Sequence, residues 1–239
     1  MAPAKPIFTP ETFKFLKDLG RHNHKEWMEA NRDRYQAVLI QPFRRLLEGL
    51  APAVLELDSR FDTSGRTGAN FSRINRDIRF AKDKTLYKTH MYLKFSVPPP
   101  AKRETGQLYV GLTTDTVTAG FRIYSGGKRK ESTIALITEP RVIADSRWVA
   151  KQKARLGRRY ESYWYKTVKG EWTKHTGWPV STDDWKKIQA WIVRRKFSPS
   201  AATRASFSRE AAKVFRDLYP LLCFTSLPEQ TAVRKEKSL

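Results

Sequence analysis

Apolar positions in the first quarter of the chain recur every three or four residues, the spacing of one face of an α-helix. Phe13, Leu16 and Leu19 form such a stripe after Thr9-Pro10-Glu11, where Thr9 suits a cap and Pro10 a first helical position that needs no donor. Gly20 marks the stop. Asn23 followed three residues later by Glu26 predicts a capping box, with a second helix from His24 carrying Trp27, Met28, Asn31, Tyr35, Val38 and Leu39 on one side. Pro42 restarts a helix striped by Phe43, Leu46, Leu47, Leu50 and Val54. Three amphipathic helices need an apolar partner.

The period then changes to two. Met91, Leu93, Phe95 and Val97 alternate with Tyr92, Lys94 and Ser96, the pattern of a half-covered strand. After a Pro-rich loop from Pro98 to Gly106, Leu108, Val110 and Leu112 alternate again. A turn from Thr113 to Thr116 leads into Val117, Ala119, Phe121 and Ile123, and Ser125-Gly126-Gly127 ends the run. Loops this short predict an antiparallel meander, because a parallel connection needs a crossover of a dozen residues or more. Farther along, helices are expected near Glu131 to Thr138, broken by Pro140, and from Arg147 to Leu156. Ser181 to Asp184 resembles a helix start, with Trp185, Ile188, Trp191 and Ile192 as its stripe. A last helix from about Ser208 uses Ala211, Val214, Phe215 and Leu218 and ends at Pro220. The pattern predicts an α+β fold, N-terminal helices packed on an antiparallel sheet with further C-terminal helices, in a single domain over residues 1–228. Residues 229–239 are expected to be a flexible charged tail.

Charge gives this framework a partner class. The 46 Lys and Arg outnumber 24 Asp and Glu for a formal +22, with 20 basic and 13 acidic residues up to position 120 and 26 and 11 beyond it. Such an excess concentrates polyanions by steering, and nucleic acid is the commonest of them. The single Cys223 rules out an internal disulfide framework, fits a reducing compartment and, within the apolar run LLCF, reads as core. No apolar run approaches the ~18 residues of a membrane span, and Met1 to Phe8 lacks a signal-peptide apolar region. The expectation is a cytoplasmic protein with no membrane partner.

Phe71 to His90, FSRINRDIRFAKDKTLYKTH, concentrates the chemistry. Arg73, Arg76, Arg79, Lys82, Lys84 and Lys88 are opposed there only by Asp77 and Asp83. Arginine's planar fork suits bidentate contact with phosphate or carboxylate, and Tyr87 can stack on a base or bond a phosphate. As a strand, Arg73 to Phe80 places Ile74, Ile78 and Phe80 on one face with Arg76; as a helix, it aligns Phe71, Ile74 and Ile78. Either way Arg73 and Arg79 escape the apolar face. Because the stretch joins helices to sheet, some charges must fasten those layers. Arg76 and Asp77 suit that role, leaving Arg73, Arg79, Lys84 and Lys88 as the foremost ligand contacts. Asn31 and Tyr35, polar groups four apart on an apolar helix side, are expected to face the arginine segment.

The order and spacing of FTPETFKFLKDLGRHNHKEWMEANRDRY and then RINRDIRFAKDKTLYKTH resemble the uncharacterised family called domain of unknown function 2461, with weaker similarity at the Gly-Gly turn and FRDLYPLLCF. That family usually shows Asn-Asn and Trp-Phe where this chain has His22-Asn23 and Trp27-Met28, and Pro where it has Leu86; residues 140–200 match it poorly. The resemblance implies an α+β fold and no established reaction.

A second basic region, Arg147 to Lys174, interleaves nine basic residues with six aromatics. Charges that follow a backbone and rings that stack on bases are what single-stranded nucleic acid requires. Lys151, Lys153, Arg155, Arg158, Arg159, Trp164 and Lys166 are its expected contacts; the alternative is a hydrophobic strand with a solvated basic margin. The four histidines lack metal-ligand spacing, and no metal or cofactor is expected. Gly126-Gly127-Lys128 lacks the frame of a nucleotide-binding loop, although a Gly turn before a helix offers N–H groups to an anion. The leading expectation is binding of a phosphate-bearing anion, above all nucleic acid. Two alternatives stand beside it: an enzyme on a phosphorylated small molecule or nucleotide, with Asp77, Asp83 or Glu26 as general base, and an interaction module for an acidic protein.

Overall fold

The computed structural model of the protein describes residues 6–97, 106–125, 132–168 and 171–226. Helix α1 (Pro10–Arg21) begins at the expected proline, the Thr9 N–H donates to Thr12 Oγ1 at 3.2 Å, and Phe13, Phe15, Leu16 and Leu19 are buried. Helix α2 (Lys25–Ala30) departs from expectation at its start. His24, not Asn23, is its cap, its Nδ1 lying 3.4 Å from the Trp27 backbone nitrogen and 3.0 Å from Glu26 Oε2. Asn23 is drawn away because its side chain exchanges two hydrogen bonds with the Tyr87 backbone, at 2.9 and 2.8 Å. The expected long second helix breaks at Asn31, whose Nδ2 donates to the Trp27 carbonyl at 2.9 Å. Short α3 (Arg32–Tyr35) then runs through a π-helical turn, Gln36–Ile40, directly into α4 (Gln41–Leu57).

Strands β1 (Met91–Phe95), β2 (Gln107–Leu112) and β3 (Val117–Tyr124) follow the alternation of the sequence. The Thr113 N–H donates to the Thr116 carbonyl at 2.9 Å in the expected turn. Helix α5 (Thr133–Ala144) passes through Pro140, where a break was expected: Leu136 and Pro140 lie on an exposed side, so the carbonyl deprived of a donor faces water. Helix α6 (Trp148–Leu156) matches its expected stretch. Strands β4 (Glu161–Val168) and β5 (Glu171–Thr176) follow. The expected helix after Ser181 is only α7 (Thr182–Lys187), and Ile188, Trp191 and Ile192 belong to strand β6 (Ile188–Phe197). Six consecutive buried residues open that strand, so both its faces are covered and alternation vanishes; the apparent helical stripe was a coincidence of spacing. After α8 (Pro199–Ala202), α9 (Phe207–Ser226) continues past Pro220, because Leu221, Leu222 and Phe224 still have apolar partners to bury against. Cys223, expected in the core, is partly exposed.

The strands form one six-stranded antiparallel sheet, ordered β1-β2-β3-β6-β4-β5, giving the α+β class that the pattern predicts. Pro98–Pro100, Gly126-Gly127-Lys128 and the 229–239 tail fall outside the described residues. Two compact units divide the rest. The first comprises the described residues within Met1–Phe95, Tyr109–Ala119 and Lys196–Phe215; the second, those within Ser96–Leu108, Gly120–Arg195 and Arg216–Leu239. Phe8, Phe43 and Phe207 pack edge-on or tilted in the core of the first, with ring centroids 5.4 and 5.8 Å apart. Trp191 centres the second, within 5.7 Å of the rings of Phe121, Trp178 and Trp185, and its Nε1 donates to Ser162 Oγ at 3.0 Å. No described helix is long and apolar enough to cross a membrane.

Candidate anion site

The site lies in the first unit and is built by an irregular segment that one buried side chain organises. Asn70 is fully buried; its Oδ1 accepts from the Gly65 N–H at 2.8 Å, and its Nδ2 donates to the carbonyls of Asp62 at 2.7 Å and Lys94 at 3.1 Å. Gly65 and Gly68 take φ of 73° and 91°, conformations that side chains rarely adopt, and so let the chain turn twice before Asn70. From Phe71 the chain is extended. Ser72 and Tyr92 exchange two bonds, the Ser72 N–H donating to the Tyr92 carbonyl and the Tyr92 N–H to Ser72 Oγ. Farther on, Arg76 N–H donates to the Leu86 carbonyl and Lys88 N–H to the Ile74 carbonyl, both at 2.8 Å. Residues 73–76 are therefore a strand-like bridge rather than a helix, and the chain turns only afterwards.

This bridge walls a cavity of about 410 Å³ whose polar rim includes Tyr35, Arg44, Thr67, Ser72, Arg73 and Asn75, over apolar Phe71, Ile74 and Met91. No carboxylate lines it. Neither the Arg44 nor the Arg73 guanidinium makes a hydrogen bond or ion pair among the described residues; the Arg73 carbonyl accepts from Lys88 Nζ at 3.1 Å, which fixes the backbone and leaves the fork free. Burial pushes the Tyr35 phenol above its ordinary value, so near neutral pH it remains a donor. Two arginine forks, a phenol, two hydroxyls and an amide around apolar walls suit a phosphate or carboxylate carried on a larger molecule.

The other basic residues of the stretch do not join Arg73. Arg76 pairs with Asp83, not Asp77, and donates to Thr85 Oγ1 at 2.7 Å. Arg79 grips Asp77 with two bonds at 2.9 and 2.7 Å, and Lys84 Nζ donates to the Ile78 carbonyl at 3.0 Å. These bonds brace the 77–85 loop from within, holding Phe80 96% exposed at its tip. Lys82 is exposed, and Tyr87 is half-buried with its backbone held by Asn23. Each carboxylate considered as a base is already stabilised as an anion: Asp77 by Arg79, Asp83 chiefly by the Thr85 N–H and then by Thr85 and Arg76, and Glu26 by backbone and His24 hydrogen bonds, all holding their pKa low. None of the three lines the cavity.

In the second unit, α6 carries Lys151 and Lys153 into solvent, while Arg155 donates to Gln152 Oε1 and to the Asp217 carbonyl, both at 2.8 Å from Nη2. Arg159 pairs with Asp217 at 2.9 Å, and the same carboxylate accepts from the Tyr160 hydroxyl, whose pKa burial raises. Arg158 lines a second cavity, of about 680 Å³, with Lys153 and Trp178. Trp164 corrects the sequence reading: its ring is 4% exposed and stacked on His175 at 4.5 Å, so it presents no face to a base. Lys166 lies 5.4 Å over that ring and 3.9 Å from Asp184. No group of three or more His, Cys, Asp or Glu placed to hold a metal occurs among the described residues.

Arg44 and Asn70 were not singled out by the sequence. Arg44 looked like an ordinary solvated position beside a helical stripe, and an isolated Asn carries no periodic signal; only the pairing of GANF with β1 reveals its role. Residues 11–224 match the family described as conserved hypothetical protein, DUF2461, and the chain belongs to that family. The match extends through 140–200, where the sequence resemblance was poor. No curated protein matches the chain.

Proposed function

We propose that this DUF2461 member binds a phosphate-bearing anion, nucleic acid above all, and seats one phosphate between Arg44 and Arg73. The carrying observation is a cavity that, among the described residues, is rimmed by two unpaired arginines and lined by no carboxylate. Guanidinium groups without an internal partner keep their hydrogen-bonding capacity for a ligand, and both arginines are exposed to meet one. The formal +22 then brings polyanions to the surface, and a cytoplasmic location goes with such a partner. The acids considered for catalysis lie off this cavity, so binding is favoured over turnover.

Fluorescence polarisation with a labelled oligonucleotide across a salt series tests the proposal. The intact protein should lose affinity linearly in log salt; Arg44→Ala with Arg73→Ala should bind about tenfold more weakly and flatten the slope by about 1 to 2, as expected for two lost phosphate contacts. An unchanged slope in the folded double variant overturns the assignment.

The cavity's size favours one second reading, since about 410 Å³ accommodates a small phosphorylated molecule. Selective thermal stabilisation by one mononucleotide, with none from oligonucleotides, would select that reading over the first.

A further inference from the structure

The second unit carries a different surface, on residues other than the buried Trp164 that the sequence singled out. Strand β4 pairs antiparallel with β5 and β6, with Tyr165 opposite Lys174, Thr167 opposite Trp172 and Tyr163 opposite Ile192. Directly paired residues share a sheet face, so Tyr163, Tyr165, Trp172 and Lys174 stand together on the face opposite buried Trp164. Their rings form a row, Tyr163 to Tyr165 at 6.1 Å and Tyr165 to Trp172 at 6.2 Å between centroids. Trp172 is 44% exposed and the two tyrosines are partly buried. Cations flank the row: Lys174 Nζ lies 4.5 Å and the Arg194 guanidinium 5.1 Å from the Tyr163 ring centre. Glu161 pairs with Arg194 at 3.3 Å and is the acid at the end of the row; Lys174 has no carboxylate partner among the described residues.

We propose that this face is a stacking platform for single-stranded nucleic acid, with successive bases laid on Tyr165 and Trp172 and Lys174 meeting the phosphate between them. An edge hairpin that exposes a row of rings gives up apolar burial, and an unpaired base offers each ring a flat apolar face in return. A duplex hides those faces in its own stack, and a purely apolar protein partner would have to strip water from Lys174 without compensation. The charge and the rings together select an unpaired polyanion. The inference rests on the nucleic-acid reading above and adds strandedness to it.

The test compares a labelled oligo(dT), a duplex of equal length and labelled heparin at one salt concentration, using the full chain, Tyr165→Ala with Trp172→Ala, and Trp172→Phe. The platform predicts tighter binding of oligo(dT) than duplex, about tenfold loss for oligo(dT) in the double alanine variant, and near-intact binding in Trp172→Phe. Heparin, which has no bases, should bind all three proteins alike. Equal loss for duplex, heparin and oligo(dT), or no loss for oligo(dT), overturns the platform while leaving the Arg44–Arg73 assignment standing. If the unaltered protein binds neither oligonucleotide, both readings fall.

Discussion

His90 shows how much of a residue's chemistry depends on surroundings that the sequence does not display. In the chain it is an isolated polar group at the end of a basic stretch; folded, it is half-buried against Tyr92, with ring centroids 5.4 Å apart. Burial first, then the charges of Lys88 and Arg76, push its pKa below the ordinary 6.5. The folded protein therefore prefers the neutral ring, whereas the unfolded chain takes up its proton near the ordinary value. Stability from this residue is complete above about pH 6.5 and declines as pH falls from there through the lower folded value. Asp18, whose carboxyl the hydrogen bond from Arg34 holds low, contributes stability that is lost only as pH falls below its ordinary 3.8. Urea midpoints at pH 7.5 and 5.5 should differ in the intact protein, and His90→Gln should shrink the difference; an equal difference in the variant would show that His90 does not supply it. Arg73 was legible as an exposed arginine because it escapes the apolar face under any local structure. The pairing of Arg76 with Asp83, seven residues away, was not, because it exists only once the loop has closed.

At the scale of elements, the periodic parts of the chain declared themselves and the irregular ones did not. The α1 and α4 stripes and the β1 alternation each bury one face, so hydrophobic spacing reports them directly; β2 and β3 keep an apolar alternation although the residues between, such as Tyr109 and Thr118, are buried as well. The segment from Asp58 to Arg76 has no period, because its backbone groups are satisfied by local turns, by bridges to distant strands and by side chains, that of Asn70 among them. Asn70→Ala removes three hydrogen bonds and leaves the Gly65 N–H and the Asp62 and Lys94 carbonyls seeking partners. Loss of about 3 kcal/mol in urea unfolding is expected. Gly65, Thr67 and Phe71 line the candidate cavity, so on the proposed function the same substitution should also weaken oligonucleotide binding, although Asn70 itself does not line it. A variant that kept full stability would refute the organising role of Asn70. Full stability lost without any change in affinity would separate that role from the cavity.

For the whole molecule, the sheet order is what local reading could not supply. Strand β6 comes last in sequence yet lies between β3 and β4, and no alternation can announce a neighbour that arrives some seventy residues later. One residue shows how close that pairing is. A Cβ added to Gly120 in β3 would lie 2.5 Å from the Val193 carbonyl oxygen and 2.9 Å from the Arg194 Cα, main-chain atoms that cannot swing aside. Gly49 in α4 is the contrast, since a Cβ there would meet Ser208 at ordinary contact distances, its Oγ at 3.5 Å and its Cβ at 3.7 Å. The same substitution should therefore act with opposite sign at the two places. Gly120→Ala must part β3 from β6 and should cost about 3 kcal/mol, whereas Gly49→Ala relieves the entropic cost of a helical glycine and should stabilise by about 0.5–1 kcal/mol. Urea midpoints of both variants, read beside the intact protein, decide the matter: a Gly120→Ala protein as stable as Gly49→Ala would mean that β3 and β6 do not approach this closely, and with that the central pairing of the sheet would fail.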